Sequence, residues 1–163
     1  MQESTFLDKN MEFIEKIKKI PVLEPFNDEE LERLIEMSKI RRYRPGECIV
    51  KEGQLDTWLY FLMYGQVRIV KNGKDVAILK RRGDIFGEMG AIDSGRRSAS
   101  AFAIQDTVCL ATDIFYIEKL TGTEKLAFGY VLYRLIAEIL ASRLRQTTEA
   151  LIRAKGRLNL KFW

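Results

Sequence analysis

Glu88 and Arg97 stand nine positions apart in the run G-D-I-F-G-E-M-G-A-I-D-S-G-R-R-S-A-S at residues 83–100. The carboxylate can accept a hydrogen bond from a hydroxyl. The guanidinium presents a planar fork that clamps phosphate oxygens through two parallel, charge-assisted bonds. Small residues separate the two. Gly87 and Gly90 let backbone N–H groups approach an anion closely, and such a turn works as a nest or a helix N-terminus. Together these groups suit a ligand that carries both a sugar hydroxyl and an anionic phosphate. A lone acidic and basic residue in a turn would be read as a solvated surface pair, so the order, the spacing and the glycines carry the inference jointly.

The run resembles the phosphate-binding cassette of the cyclic nucleotide-binding domain family. That pattern reads roughly F-G-E, a Leu or Met, a small residue and Leu, then a variable loop and P-R followed by small residues. Here Arg96 stands where proline is common. The nine-residue step from Glu88 to Arg97 matches the kinase-regulatory-subunit and channel branches of the family. The resemblance implies that Arg97 and the backbone of Gly87, Glu88, Met89, Gly90 and Ala91 hold the phosphate, and that Glu88 holds the ribose. Ser98 and Ala99 complete the motif. A hydroxyl at Ser98 can contact a syn guanine, which leaves both 3′,5′-cyclic AMP, the favoured ligand, and cyclic GMP open.

Composition narrows the alternatives. The chain has 163 residues, enough for one domain with a real core and short for two. Apolar residues make up 47% and charged residues 31%, ordinary for a water-soluble globular fold. No apolar run is long enough to span a membrane, and M-Q-E-S-T-F-L-D-K-N lacks the basic-then-apolar text of a secretion signal. A cytoplasmic location is therefore expected. Histidine is absent, which removes imidazole general-base catalysis and the commonest metal and haem ligand. Two cysteines, Cys48 and Cys109, cannot hold an iron–sulfur cluster and read as core thiols. No catalytic set, metal or cofactor is expected, and the protein is not expected to be an enzyme. The net charge of +4 is spread over Lys16/Lys18/Lys19, Arg41/Arg42/Arg44, Lys80/Arg81/Arg82 and Arg143/Arg145, which reads as solvated surface.

These chemical groups must be positioned by flanking elements. Apolar residues from Phe6 to Ile20 recur at helical spacing, and P-V-L-E-P-F at 21–26 ends that helix. Asn27 with Glu30 forms a capping box for a second helix, whose apolar face carries Leu31, Leu34, Ile35 and Ser38. From about residue 41 to 118 the text turns to short strands: 48–50, 58–63, 66–71, 76–80, 100–104, 108–112 and 115–117. Asn72-Gly73 between two of them is a hairpin signal. Many short, evenly spaced strands point to a jelly roll or barrel. The family resemblance extends through Y-R-P-G-E-C-I-V-K-E-G-Q-L-D and Y-F-L-M-Y-G-Q-V and covers residues of about 20–155. The expected fold is α+β, mainly β: a double-stranded β-helix or jelly-roll barrel flanked by N-terminal helices and a long C-terminal helix. The expected domain spans 1–163, with N-terminal helices at 1–40, the β-roll at 41–118 and C-terminal helices at 119–163.

After Thr123 the pattern is helical to about 158. Leu126, Tyr130, Tyr133, Ala137, Leu140, Leu144, Thr147, Leu151, Ala154 and Leu158 follow steps of four and three, an a/d seam. A second apolar set, Val131, Leu132, Leu135, Ile136 and Ile139, stops early, so the first half of the helix can face two surfaces. Gly129 is placed to kink it. A parallel homodimer through residues of about 137–158 is expected; the alternative is one long helix packed on its own domain. S-R-L-R-Q-T-T-E at 142–149 resembles the dimer helix of the bacterial catabolite activator proteins, which implies base contacts from Thr147 and Thr148. The same resemblance puts Ile69 against the base. The expected function is a regulatory module that binds a cyclic nucleotide and signals through its C-terminal dimer helix to an unknown downstream protein. The alternative is an interaction and dimerisation module with an unused cassette. Only five residues follow position 158, so direct DNA binding through a helix-turn-helix is not expected. The tail L-N-L-K-F-W is either a docking patch or a segment that folds back.

Overall fold

The computed structural model describes residues 2–4, 11–93 and 95–158. Phe6, the start of the first expected helix and the tail from residue 159 lie outside the described residues. Among the described residues nine strands form two antiparallel sheets. The five-stranded sheet has the order β1 (Gln2–Ser4), β2 (Ser38–Tyr43), β9 (Thr107–Asp113), β4 (Trp58–Tyr64) and β7 (Ile85–Phe86). The four-stranded sheet has the order β3 (Cys48–Val50), β8 (Ser100–Ala103), β5 (Val67–Lys71) and β6 (Lys74–Leu79). This is the jelly-roll arrangement that the strand spacing predicts. Among the described residues the sheets are accompanied by the α-helices α1 (Met11–Lys18), α2 (Asp28–Glu36), α3 (Glu88–Asp93) and α4 (Gly122–Leu158).

Strand β4 explains the organisation of the core. Its text, W-L-Y-F-L-M-Y, is apolar without alternation because both of its faces are covered. Tyr60 and Leu62 point into the roll with Tyr43, Val67, Phe86, Ala101, Ala103 and Cys109. Leu59 and Phe61 point the other way, against a helical layer that contributes Ile17, Ile20, Leu34, Phe128, Leu132 and Ile136. Each such side chain contributes about 1.5–3 kcal/mol on burial. The helices are thus one wall of the core, and α4 packs on β4, the strand that pairs with β7 just before the cassette.

Local signals act as expected in two places. Asn27 Oδ1 accepts from the Glu30 amide at 2.9 Å while Glu30 Oε2 accepts from the Asn27 amide at 2.9 Å, a complete capping box. Asn72 and Gly73 both adopt positive φ (49° and 73°), the tight turn that joins β5 to β6.

Four expectations are corrected. Ser38 opens β2 instead of ending the second helix; its hydroxyl donates to the Leu34 carbonyl and meets Thr112 Oγ1 at 2.7 Å, which closes the helix and anchors the strand. Residues 115–117 are not a strand. Asp113 Oδ1 accepts from the Phe115 amide at 3.1 Å and starts a 3₁₀ turn over Ile114–Lys119. Cys48 is exposed although Val50, two residues on, is buried, because the pairing with β8 shifts register between them; Cys109 alone of the two is a core thiol, with its pKa pushed up to about 12 by burial. Helix α4 runs unbroken through Gly129 for 37 residues, about 55 Å, because no backbone bond is lost at a glycine that keeps helical angles.

Candidate functional site

The cassette starts where β7 ends. Pairing of Tyr60 with Phe86 and of Phe61 with Ile85 fixes β7 against β4, and the Tyr60 and Phe86 rings stack at 5.0 Å. Gly87 then turns with φ +86°; a Cβ there would lie 2.7 Å from Arg97 Nη1 and 2.9 Å from the Trp58 carbonyl oxygen. Only glycine fits this approach. Glu88 opens α3, and Gly90 keeps the helix close to the Arg97 side chain, with a hypothetical Cβ 3.4 Å from Nη1.

Arg97 is 3% exposed, an unusual burial for a guanidinium. Its backbone is clamped to the 53–54 turn: the Gly53 amide donates to Arg97 O at 2.9 Å, and the Arg97 amide donates to Gln54 O at 2.8 Å. Arg96, in the position where proline is common, ties the same turn through Nη1 to the Gly53 carbonyl at 2.9 Å. The Arg97 side chain pairs bidentately with Asp56, with Nε to Oδ2 at 2.9 Å and Nη2 to Oδ1. It also donates to the carbonyls of Gly87 and Trp58. Burial pulls its pKa down to about 10, so the group is cationic at neutral pH. Among the described residues, four of the five guanidinium N–H groups are engaged in these bonds, which leaves one on Nη1 beside the 87–90 turn.

Glu88 is 4% exposed and does not stand alone. Arg143 of α4 reaches down to it, donating from Nη1 to Glu88 Oε1 and from Nη2 to the Ile85 carbonyl. The site is therefore two guanidinium–carboxylate pairs on either side of a glycine turn. One pair lies within the roll; the other ties the roll to the C-terminal helix.

The remaining expected residues divide. Met89 is exposed on α3 and Ser98 is exposed beside it, with Oγ 3.5 Å from the Met89 sulfur. Ala99 is half-buried. Ile69 is half-buried and packs on the interior cluster of the roll. Ala91 belongs to α3, but its side chain lies outside the described residues. Thr147 and Thr148 are exposed on α4, one turn beyond Arg143. Two residues escaped the sequence reading. Asp56 is the acid of E-G-Q-L-D, a motif whose resemblance bears on the fold. Arg143 lies in S-R-L-R-Q-T-T-E, where the resemblance points to the threonines. Among the described residues no group of three or more acidic, Cys or His side chains could hold a metal.

A model of the cyclic nucleotide-binding domain family matches residues 40–121, half of the chain, and the chain belongs to that family. It is 32% identical over 110 residues to the cAMP-dependent protein kinase regulatory subunit of Debaryomyces hansenii, covering 68% of this chain and 24% of that protein. It is 32% identical over 103 residues to the cGMP-dependent protein kinase of Plasmodium berghei, covering 63% of this chain and 11% of that protein. The crystal structure of Thermus thermophilus catabolite activator protein superposes with a TM-score of 0.67 at 29% identity, covering 83% of this chain and 63% of that one. The chain thus spans a tenth to a quarter of the two curated kinase relatives. No described helix is long and apolar enough to cross a membrane.

Proposed function

We propose that this domain binds a 3′,5′-cyclic nucleotide in the 83–100 cassette, cyclic AMP in preference to cyclic GMP, and reports occupancy through α4. One observation carries the reading: a buried arginine, pre-aimed by Asp56, faces a glycine turn one residue before a buried glutamate. The free Nη1–H of Arg97 and the amides of the 87–90 turn meet the phosphate, which carries one negative charge in a cyclic diester. Glu88 accepts from the ribose 2′-hydroxyl through the oxygen that Arg143 leaves free. Ile69 lines the inner wall toward the base. Ser98, exposed at the rim, is available to a syn guanine, which keeps cyclic GMP as the second ligand.

Signalling follows from the second pair. Arg143 couples the ribose ligand Glu88 to α4, so a ligand that engages Glu88 shifts the population of helix positions. The a/d stripe supports a parallel homodimer. Leu126, Tyr130 and Leu144 are 74%, 65% and 68% exposed, while Phe128, Leu132 and Ile136 on another face are buried in the domain. A helix with its own domain on one side and an unburied seam on the other is ready for a second helix. In such a dimer Thr147 and Thr148 come to the seam beside each cassette and reach the base. The receiver of the signal is a further protein, and the site is a cytoplasmic sensor's input with no catalytic step.

Thermal unfolding with cyclic AMP, cyclic GMP and 5′-AMP tests the ligand assignment. A cyclic nucleotide at 100 times its dissociation constant should stabilise the fold by about 2.7 kcal/mol. 5′-AMP, which carries an extra charge and an open phosphate, should do little. Equal shifts from all three, or none, would contradict the assignment and favour a dimerisation module with an unused cassette.

A further inference from the structure

Two basic clusters that are 61 residues apart at their nearest points in sequence meet in the fold. The end of α1 carries Lys16 and Lys18, and Lys19 follows it; the turn before β7 carries Lys80, Arg81 and Arg82. Arg82 Nη2 donates to the Lys16 carbonyl, which fastens one to the other. Gly83 secures the same contact independently. It has φ +91°, and a Cβ there would lie 2.7 Å from Ile20 Cγ2, so only glycine lets the turn lie this close to the 20–22 segment. Lys16, Lys19, Lys80, Arg81 and Arg82 are all exposed. Two of the nearby acids are already engaged, and Glu15, exposed on α1 one turn before Lys18 and Lys19, offsets one cation of the patch. Asp84 Oδ2 accepts from the backbone amides of Lys80 (3.0 Å) and Arg81 (2.9 Å), and Asp28 pairs with Lys18 at 2.9 Å.

We infer that this patch is a docking surface for an acidic segment of a partner protein. Nothing in the cassette chemistry uses it, yet its two halves are locked together by a hydrogen bond and a sterically required glycine. Three features select the occupant. No large apolar side chain is exposed within residues 14–24 or 80–84, so a membrane would find no group to insert. Four exposed cations, Lys19, Lys80, Arg81 and Arg82, cover too few phosphates for tight duplex binding, which rests on a longer row of contacts. A short run of carboxylates matches both the charge and the size of the patch.

Fluorescence anisotropy with a fluorescein-labelled octaglutamate peptide reads the interaction on the full chain. Saturable binding is expected at low salt, lost as ionic strength rises from about 0.05 to about 0.5 M. Lys19→Glu and Arg81→Glu, on the two halves, should each weaken it by about three- to fivefold, the size of an exposed ion pair. Arg153→Glu on α4 makes the same change in net charge away from the patch and should leave it intact. Gly83→Ala should weaken binding with no change in charge; if that variant fails to fold, the two charge reversals decide. Cyclic AMP affinity should be unchanged in Lys19→Glu and Arg81→Glu, which separates this surface from the cassette. Absence of saturable binding up to about 1 mM, equal effects of all three charge reversals, or tighter patch-dependent binding of phosphatidylserine vesicles or duplex DNA would each overturn the inference.

Discussion

Replacing Arg97 by alanine removes four hydrogen bonds inside the domain as well as the cation offered to a phosphate. Two effects follow, and they can be told apart. The loss of a charge-assisted phosphate contact should weaken cyclic AMP binding by at least about 2 kcal/mol, roughly thirtyfold. The loss of the Asp56 pair strands a carboxylate and the carbonyls of Gly87 and Trp58. The Asp56 side chain is 28% exposed, so water recovers part of its solvation. The expected loss of stability is therefore about 2–4 kcal/mol, below the full cost of breaking a buried pair. Thermal melts should show it as a fall of about 5–15 °C. Adding Asp56→Ala removes the stranded carboxylate and should return part of the stability while leaving binding weak. Calorimetric titration, run well below the variant's melting point, reads affinity separately from fold. An affinity within about threefold of wild type in a folded Arg97→Ala protein would refute the phosphate assignment.

Three further outcomes follow from the geometry. Glu88→Gln keeps a carbonyl oxygen for the ribose hydroxyl and should cost less affinity than Arg97→Ala. It also loses the ionic partner of Arg143, so amide exchange in α4 around residues 140–147 should quicken without ligand. Leu144→Asp combined with Leu151→Asp places charges on the exposed seam and should convert a dimer to monomer in analytical ultracentrifugation; an unchanged mass would contradict the α4 interface. Ellman's reagent should titrate Cys48 rapidly in the native protein and Cys109 only after unfolding, because burial holds the second thiol protonated and out of reach.

Elements whose signals are local were legible in the sequence. The Asn27–Glu30 capping box and the Asn72-Gly73 turn need only neighbours within a few residues, and both form as the text predicts. The β4 run was identified as a strand, although its burial on two faces depends on the distant helices. Ser38 fits a helical face by spacing, and only the bond to Thr112, 74 residues away, decides for the strand. Cys48 lies in an apolar run too short to show which face is inward. In the site, glycine and charge spacing disclosed Glu88 and Arg97 but not their partners. Asp56 and Arg143 lie 41 and 55 residues from the groups they hold, a distance that no spacing rule within one element can bridge.

Isothermal titration of the wild-type chain with cyclic AMP, followed by cyclic GMP, bears most directly on the central claim. Saturable binding of one cyclic nucleotide per chain, tighter for cyclic AMP and much weakened by Arg97→Ala, is the predicted result. No binding of either nucleotide up to about 1 mM, in a protein shown to be folded, would contradict it.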